Sequence, residues 1–121
     1  MLDIIFYETE TMQPKYIEVS EELYEWLARS NFSKIGRSIK QSIKIDDETE
    51  ILPLVELDPK NRSLFRLFFL EAIAEESDRL LTQLTEHFEK EDYRKISDRL
   101  RELQELRKCV ENFTHQYLQR I

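Results

Sequence analysis

From Lys60 to Ile121 the chain holds neither glycine nor proline. A stretch of that length without either breaker is built for helices rather than for tight turns. Its start is marked by Asp58-Pro59, with Asp as helix cap and Pro in the first turn. Along 64–74, LFRLFFLEAIA, apolar residues cover nearly every face, which predicts a segment buried on several sides. The stripe then narrows to Ile73, Leu80, Leu84 and Phe88. A second stripe runs Tyr93, Ile96, Leu100, Leu103, Leu106, Val110, Phe113, Tyr117 and Ile121, in steps of three and four. The five-residue step from Phe88 to Tyr93 is about 140° out of phase at 3.6 residues per turn. EKED, 89–92, therefore reads as the turn of an antiparallel helical hairpin, with Asp92 capping the second helix. The rival is one helix about 90 Å long.

The first half is different. LDIIFYE and KYIEV are β-rich runs separated by TETMQP, a loose hairpin. Ser20, followed by Glu21 and Glu22, is an N-cap with two acids at the positive end of a helix dipole. Leu23, Trp26 and Leu27 share one face, so the spacing predicts a short helix over 20–30. Ile35, Ile39 and Ile43 recur every four residues, and Ser38 with Gln41 makes a capping-box pattern. A second short helix starting near Ser33 or Ser38 is expected. DDETEILPLVELD looks extended, with Pro53 confining any strand to an edge or a short segment. The expectation is a single α+β, mainly α domain over 1–121. An N-terminal β-hairpin with one or two short helices (1–57) packs on a long antiparallel C-terminal helical hairpin (58–121).

Charge divides the same way. Residues 1–57 carry 12 acids and 6 bases, whereas 58–121 carry 13 and 12, for a net charge of −7. An acidic chain is a poor general nucleic-acid binder and suits a basic protein partner. No run approaches the length of a membrane span, and MLDIIFYETET, with an acid at position 3, does not read as a signal peptide. A cytoplasmic protein is expected.

The chemistry-bearing residues form no catalytic pattern. Cys109 is the only cysteine, so there is no intramolecular disulfide and no zinc cluster. A di-metal carboxylate site needs Glu-x-x-His pairs, yet Leu84 stands three before His87 and Asn112 three before His115. Glu111 and His115 share a face at i, i+4, half a metal site at most. In the hairpin, His87 lies about 22 Å from Cys109, and His115 is on a different face from it, so no nucleophilic dyad forms. Gly36, the only glycine, is too few for a phosphate-cradling loop. Glu75, Glu76 and Asp78 cluster, with Arg79 placed to pair with Glu75, and Glu86–Lys90, Glu91–Lys95 and Arg107–Glu111 repeat the spacing of a solvated helix face. Neither enzymatic activity nor a metal or cofactor is expected.

Two binding functions remain. The first is a non-catalytic acidic domain that inhibits a basic partner, in the manner of an immunity protein or a phage-encoded inhibitor. Its contact residues would be Tyr7, Glu8, Glu10, Glu18, Glu21, Glu22, Tyr24, Glu25, Asp46, Asp47 and Glu48, because interfaces combine aromatic anchors with charged rims. The second rests on residues 26–45, which hold Arg29, Lys34, Arg37, Lys40 and Lys44 and no acid. The segment KYIEVSEELYEWLARSNFSKIGRSIKQSI resembles ribbon-helix-helix repressors: a strand, a capped helix, a Gly-Arg-Ser turn at 36–38, and a second helix. The resemblance implies that outward side chains of 15–19 read a DNA groove and that the second helix's start contacts phosphate. A homodimer through the C-terminal helices is the third arrangement considered.

Overall fold

The computed structural model describes residues 2–8, 13–45, 47–85 and 89–120. Strands β1 (Leu2–Tyr7) and β2 (Lys15–Val19) form the expected hairpin, followed by helix α1 (Glu21–Arg29) and a 3₁₀ turn at Asn31–Lys34. Strands β3 (Ser38–Ile45) and β4 (Glu48–Glu56) make a second hairpin. Helices α2 (Pro59–Thr85) and α3 (Lys90–Glu111) follow, then strand β5 (Tyr117–Gln119). All five strands join one antiparallel sheet in the order β2-β1-β5-β4-β3.

Local signals place the helix starts. Ser20 Oγ accepts from the Leu23 amide at 3.3 Å, which caps α1; Asp58 Oδ1 accepts from Asn61 N at 2.7 Å, which caps α2. α1 buries Leu23 and Leu27, while α2 buries Phe65, Phe69 and Ala72. These pack with Ile4, Phe6, Ile17, Val19, Val55 and Leu118 from one side of the sheet, and with Leu103, Leu106 and Val110 of α3.

Three expectations are corrected. No second helix follows Gly36, because 38–45 is a strand. Ile39, Ile43 and Ile45 are an even number apart, and a spacing of four satisfies period 2 as well as period 3.6. Ile43 is buried, Ile35 half-buried and Ile39 exposed, so these residues share no buried helical face. The Glu89–Asp92 run is not the interhelical turn. Glu89 is the N-cap of α3, and Glu91 and Asp92 lie in its first turn, where acids suit the helix dipole. Residues 86–88, with His87, lie outside the described residues. Finally, α3 stops at Glu111, and the last residues of the second stripe form β5 and its approach. Asn112 closes the helix and its Oδ1 accepts from Thr114 N at 3.0 Å, a side-chain turn that redirects the chain.

Pro53 lies in a nine-residue strand. It is tolerated because β4 meets β5 only at Val55 and Glu56; at Pro53 the strand is paired on one side only. Gly36 has φ +63°, and a Cβ there would lie 2.8 Å from Asn61 Nδ2 and 2.9 Å from Val55 Cγ1. Both the left-handed backbone and the close approach of α2 call for glycine.

On the sheet's other face Tyr7, Ile43 and Leu54 are buried, packed with Ile5, Ile45, Leu52 and Tyr117, and among the described residues no helix residue joins this cluster. In a flat sheet Glu50 would stand about 20 Å along β4 from the last pairing with β5. Its β3 partner Ile43 nevertheless belongs to the same buried cluster as Tyr7. Burial, then Tyr16 and Glu50, pushes Tyr7 up to about 12. Its hydroxyl donates to Gln119 Oε1 at 2.5 Å.

An alkaline transition follows from Tyr7. The folded state holds the phenol proton more tightly than the unfolded chain, whose tyrosines titrate near about pH 10. Stability from this group is complete below about pH 10 and is lost as pH rises toward about 12. Denaturant melts across that range are expected to show the decline. Tyr7→Phe should flatten it, at a constant cost of about 1 kcal/mol for the lost hydrogen bond. An unchanged alkaline limb in that variant would contradict the assignment.

Candidate functional site

A depression of about 630 Å³ lies beside the start of α2 and includes Arg62, Arg66, Glu111 and Phe113. Its polar groups are committed to each other. Arg66 pairs with Glu111 at 2.8 Å, and Arg62 donates to four backbone carbonyls. It is a structural joint in which Arg62, Arg66 and Glu111 are already engaged within the fold.

The groove between α1 and α2 is different. One part, about 600 Å³, is lined by Glu22, Glu25, Trp26, Arg29, Glu75, Glu76, Arg79 and Arg99. Its continuation adds Phe68, Glu71 and Ala72. α1 buries Leu23 and Leu27, so Glu22, Glu25, Trp26 and Arg29 are left exposed beside α2. Trp26 is anchored by Phe68, with centroids 5.6 Å apart. Phe68 in turn touches Phe32 and Phe69. The indole is thus the outer end of an aromatic stack rooted in the core, and 37% of its surface is exposed. A surface aromatic held this way costs little side-chain entropy on binding.

Electrostatics in the groove centre on Glu76, which is only 8% exposed. Its Oε1 accepts from Arg79 at 3.0 Å and from Arg99 at 3.3 Å, and Arg99 also reaches Glu22 at 3.2 Å. Arg79 therefore pairs with Glu76 three residues back, where helical spacing from the sequence suggested Glu75. Glu76 Oε2 is buried without a partner. Arg79 and Arg99 are committed to Glu76 and Glu22, while Arg29 donates only to the Glu25 carbonyl; the carboxylates of Glu25, Glu71 and Glu75 form no ion pair among the described residues. The groove offers an aromatic plate and three carboxylates without an ion pair, with the exposed Arg29 beside them, so five acids face three arginines along its lining. Such a surface can accept cationic, hydrogen-bond-donating groups.

Glu102 of α3 lies beneath the start of α1. It is buried, and its Oε1 accepts from Ser20 N at 3.1 Å. Burial raises its pKa, against the lowering effect of the Ser20 hydrogen bond.

The candidate contacts chosen from sequence separate. Glu18, Glu21, Glu22 and Glu25 are exposed along the end of β2 and α1, and Glu22 and Glu25 enter the groove. Asp47 and Glu48 are exposed at the β3–β4 turn, with Asp47 in the left-handed region at φ 65°. Glu8 is half-buried after β1. Tyr7 is buried in the cluster with Ile43 and Leu54, and half-buried Tyr24 donates its hydroxyl to Arg120 O at 3.0 Å. Glu10 and Asp46 lie outside the described residues. Phe68, Glu71, Glu75, Glu76, Arg79 and Arg99 had no place in the sequence-derived site. The Glu75-Glu76-Asp78 cluster was the one signal that pointed toward them.

The basic residues are exposed but strung out: Arg29 in the groove wall, Lys34 and Arg37 around the 3₁₀ turn, Lys40 and Lys44 on β3. β3 is an edge strand, and lysines on an edge deter pairing with other chains. The ribbon-helix-helix layout is absent. Its second helix is β3, and its ribbon, β2, is hydrogen-bonded within its own hairpin.

Cys109 is buried and its thiol pKa is raised, by burial first. His115 lies past the end of α3, off the helical face that would have joined it to Glu111. Its Nδ1 is 2.9 Å from the Cys109 carbonyl oxygen, so that nitrogen carries the proton, and its ring packs on Phe6. Among the described residues no three His, Cys, Asp or Glu side chains gather as a metal site, and no helix is long and apolar enough to cross a membrane. No protein-family model, curated protein or solved structure shows significant similarity to this chain.

Proposed function

We propose that this chain is a non-catalytic, cytoplasmic protein-binding module that captures a basic partner through the α1–α2 groove. The observation that carries this reading is the gathering of Glu25, Glu71 and Glu75 around a rigid, partly exposed Trp26. An aromatic anchor in a lining where acids outnumber bases gives both contact area and electrostatic steering. By occupying the partner's cationic surface the module acts as an inhibitor wherever that surface does the partner's work.

The test is a double charge reversal. Glu25→Lys with Glu75→Lys is expected to leave the thermal midpoint nearly unchanged, because both side chains are exposed. It should weaken capture of a basic protein purified from the native host by at least about tenfold, chiefly through association rate. Lys40→Glu with Lys44→Glu should leave capture intact. If the groove reversal has no effect and the β3 reversal abolishes capture, the groove is not the site.

A further inference from the structure

α2 leaves a second surface unexplained. Its buried residues Phe65, Phe69, Ala72 and Glu76 define an inner face. At about 100° per residue, Leu67, Glu71, Ala74, Asp78 and Leu81 point the opposite way, with Leu64 and Glu75 on the flank toward the groove. Leu64, Leu67 and Leu81 are 41%, 55% and 61% exposed. Three leucines so open on one helix are a surface feature that water alone does not favour.

Their spacing identifies the shape that fits. Leu67, Ala74 and Leu81 are seven residues apart, the repeat along which a second helix follows a seam. The small residue at the middle lets a partner backbone approach closely there. The seam covers about 21 Å of α2.

Charge decides between the two helical occupants. In an antiparallel pair of α2 helices related by a two-fold at Ala74, Glu71, Glu75 and Asp78 would meet only their own copies. No base lies on this outward face between Leu67 and Leu81, and Arg79 on the groove side is taken by Glu76. A second copy is therefore repelled, whereas a helix with lysines or arginines along one flank is attracted. Those cations would also point toward the groove's exposed rim, where Glu71 and Glu75 form no ion pair among the described residues.

We infer that the outward face of α2 seats an amphipathic helix of the basic partner. Its apolar ridge lies on Leu67, Ala74 and Leu81, and its cationic flank faces Glu71, Glu75, Asp78 and the groove. This rests on reading the groove as a cation-binding surface, and it adds the partner's secondary structure and polarity.

The probe is a pair of synthetic peptides of about 21 residues, three heptads. One has leucines at a and d and its lysines and arginines confined to one flank. The other has the same composition scrambled. Measured by titration calorimetry near physiological ionic strength, the patterned peptide is expected to bind the wild type at least about tenfold more tightly than the scramble. Leu67→Asp with Leu81→Asp should erase that difference at an unchanged melting temperature. If both peptides bind equally and the leucine variant changes nothing, while Glu25→Lys with Glu75→Lys weakens both, the helix-binding inference fails and the groove reading stands. If neither peptide binds and no variant alters capture of the host protein, both fall. If the wild type sediments as a dimer that the leucine variant dissociates, the occupant is a second copy and the inference is overturned.

Discussion

Ending the chain at Glu111 is expected to abolish the native fold, although it removes only a short strand and its approach. Among the described residues β5 alone joins the two hairpins in the sheet: β1 lies on one side of it and β4 on the other. Without it the sheet becomes two separate two-stranded ribbons, which are marginal alone in water. Leu118 is fully buried, worth about 2–5 kcal/mol when its core volume is emptied. The strand's backbone bonds to both neighbours add about 1 kcal/mol each. Gln116 N donates to Tyr7 O at 2.9 Å and Leu57 N to Gln116 O at 2.8 Å, extending the ladder. Arg120 Nη1 donates to Phe32 O and Ile35 O at 2.6 and 2.7 Å, tying the chain's last turn to the loop after α1. The sum approaches the whole stability of an ordinary domain, about 5–15 kcal/mol. Near-UV circular dichroism of the truncated chain should show no fixed aromatic packing, and a synthetic peptide of residues 112–120 should restore it in trans. A cooperative melt of the truncated chain with native-like near-UV signal would refute this.

The central role of β5 was also the least legible feature of the fold. A three-residue strand is too short to show a period, and its residues Tyr117 and Leu118 continue the helical spacing of α3. What makes them a strand is tertiary: Leu118 pairs with Phe6 and Val55, which lie 112 and 63 residues away. Local chemistry, by contrast, was readable. Ser20 and Asp58 are caps because an oxygen two bonds from the backbone can reach an orphan amide, and nothing distant competes with that. The 38–45 strand failed for a middle reason. Isoleucines four apart fit both periods, and only the pairing with β4 and the burial of Ile43 in the cluster with Tyr7 and Leu54 select one.

The groove shows the same limit. Trp26 and the acids of α1 were visible as an aromatic among carboxylates. Their counterparts Phe68, Glu75 and Glu76 sit more than forty residues on, and Arg99, which links Glu22 to Glu76, further still. Spacing along one helix assigned Arg79 to Glu75. The buried position of Glu76, next to α3, won instead, because a carboxylate withdrawn from water gains more from a guanidinium than an exposed one does.

Replacing Arg62 is expected to cost more than replacing any other charged residue of the chain. Its Nη1 donates to Val110 O at 2.6 Å and Asn112 O at 3.1 Å, and its Nη2 to His115 O at 2.7 Å and Leu57 O at 3.1 Å. These carbonyls belong to the last turn of α3, its cap, the approach to β5, and the junction between β4 and α2. One planar fork thus fixes the place where the C-terminal segment leaves the helix and enters the sheet. It also puts a cation at the negative end of the α3 dipole. Burial lowers its pKa, yet guanidinium stays charged across the accessible range. Arg62→Met keeps most of the stem but leaves four carbonyls without this donor, and should destabilise by about 3–5 kcal/mol. For a domain of this size that is about 10–20 °C in Tm. Lysine, a point charge without the fork, should recover less than about half. Arg66→Met is the control. Its pair with Glu111 is 54% exposed on the arginine side and should cost no more than about 0.5 kcal/mol. If the two methionine variants melt together within a few degrees of the wild type, Arg62 is not the joint that holds β5 in register.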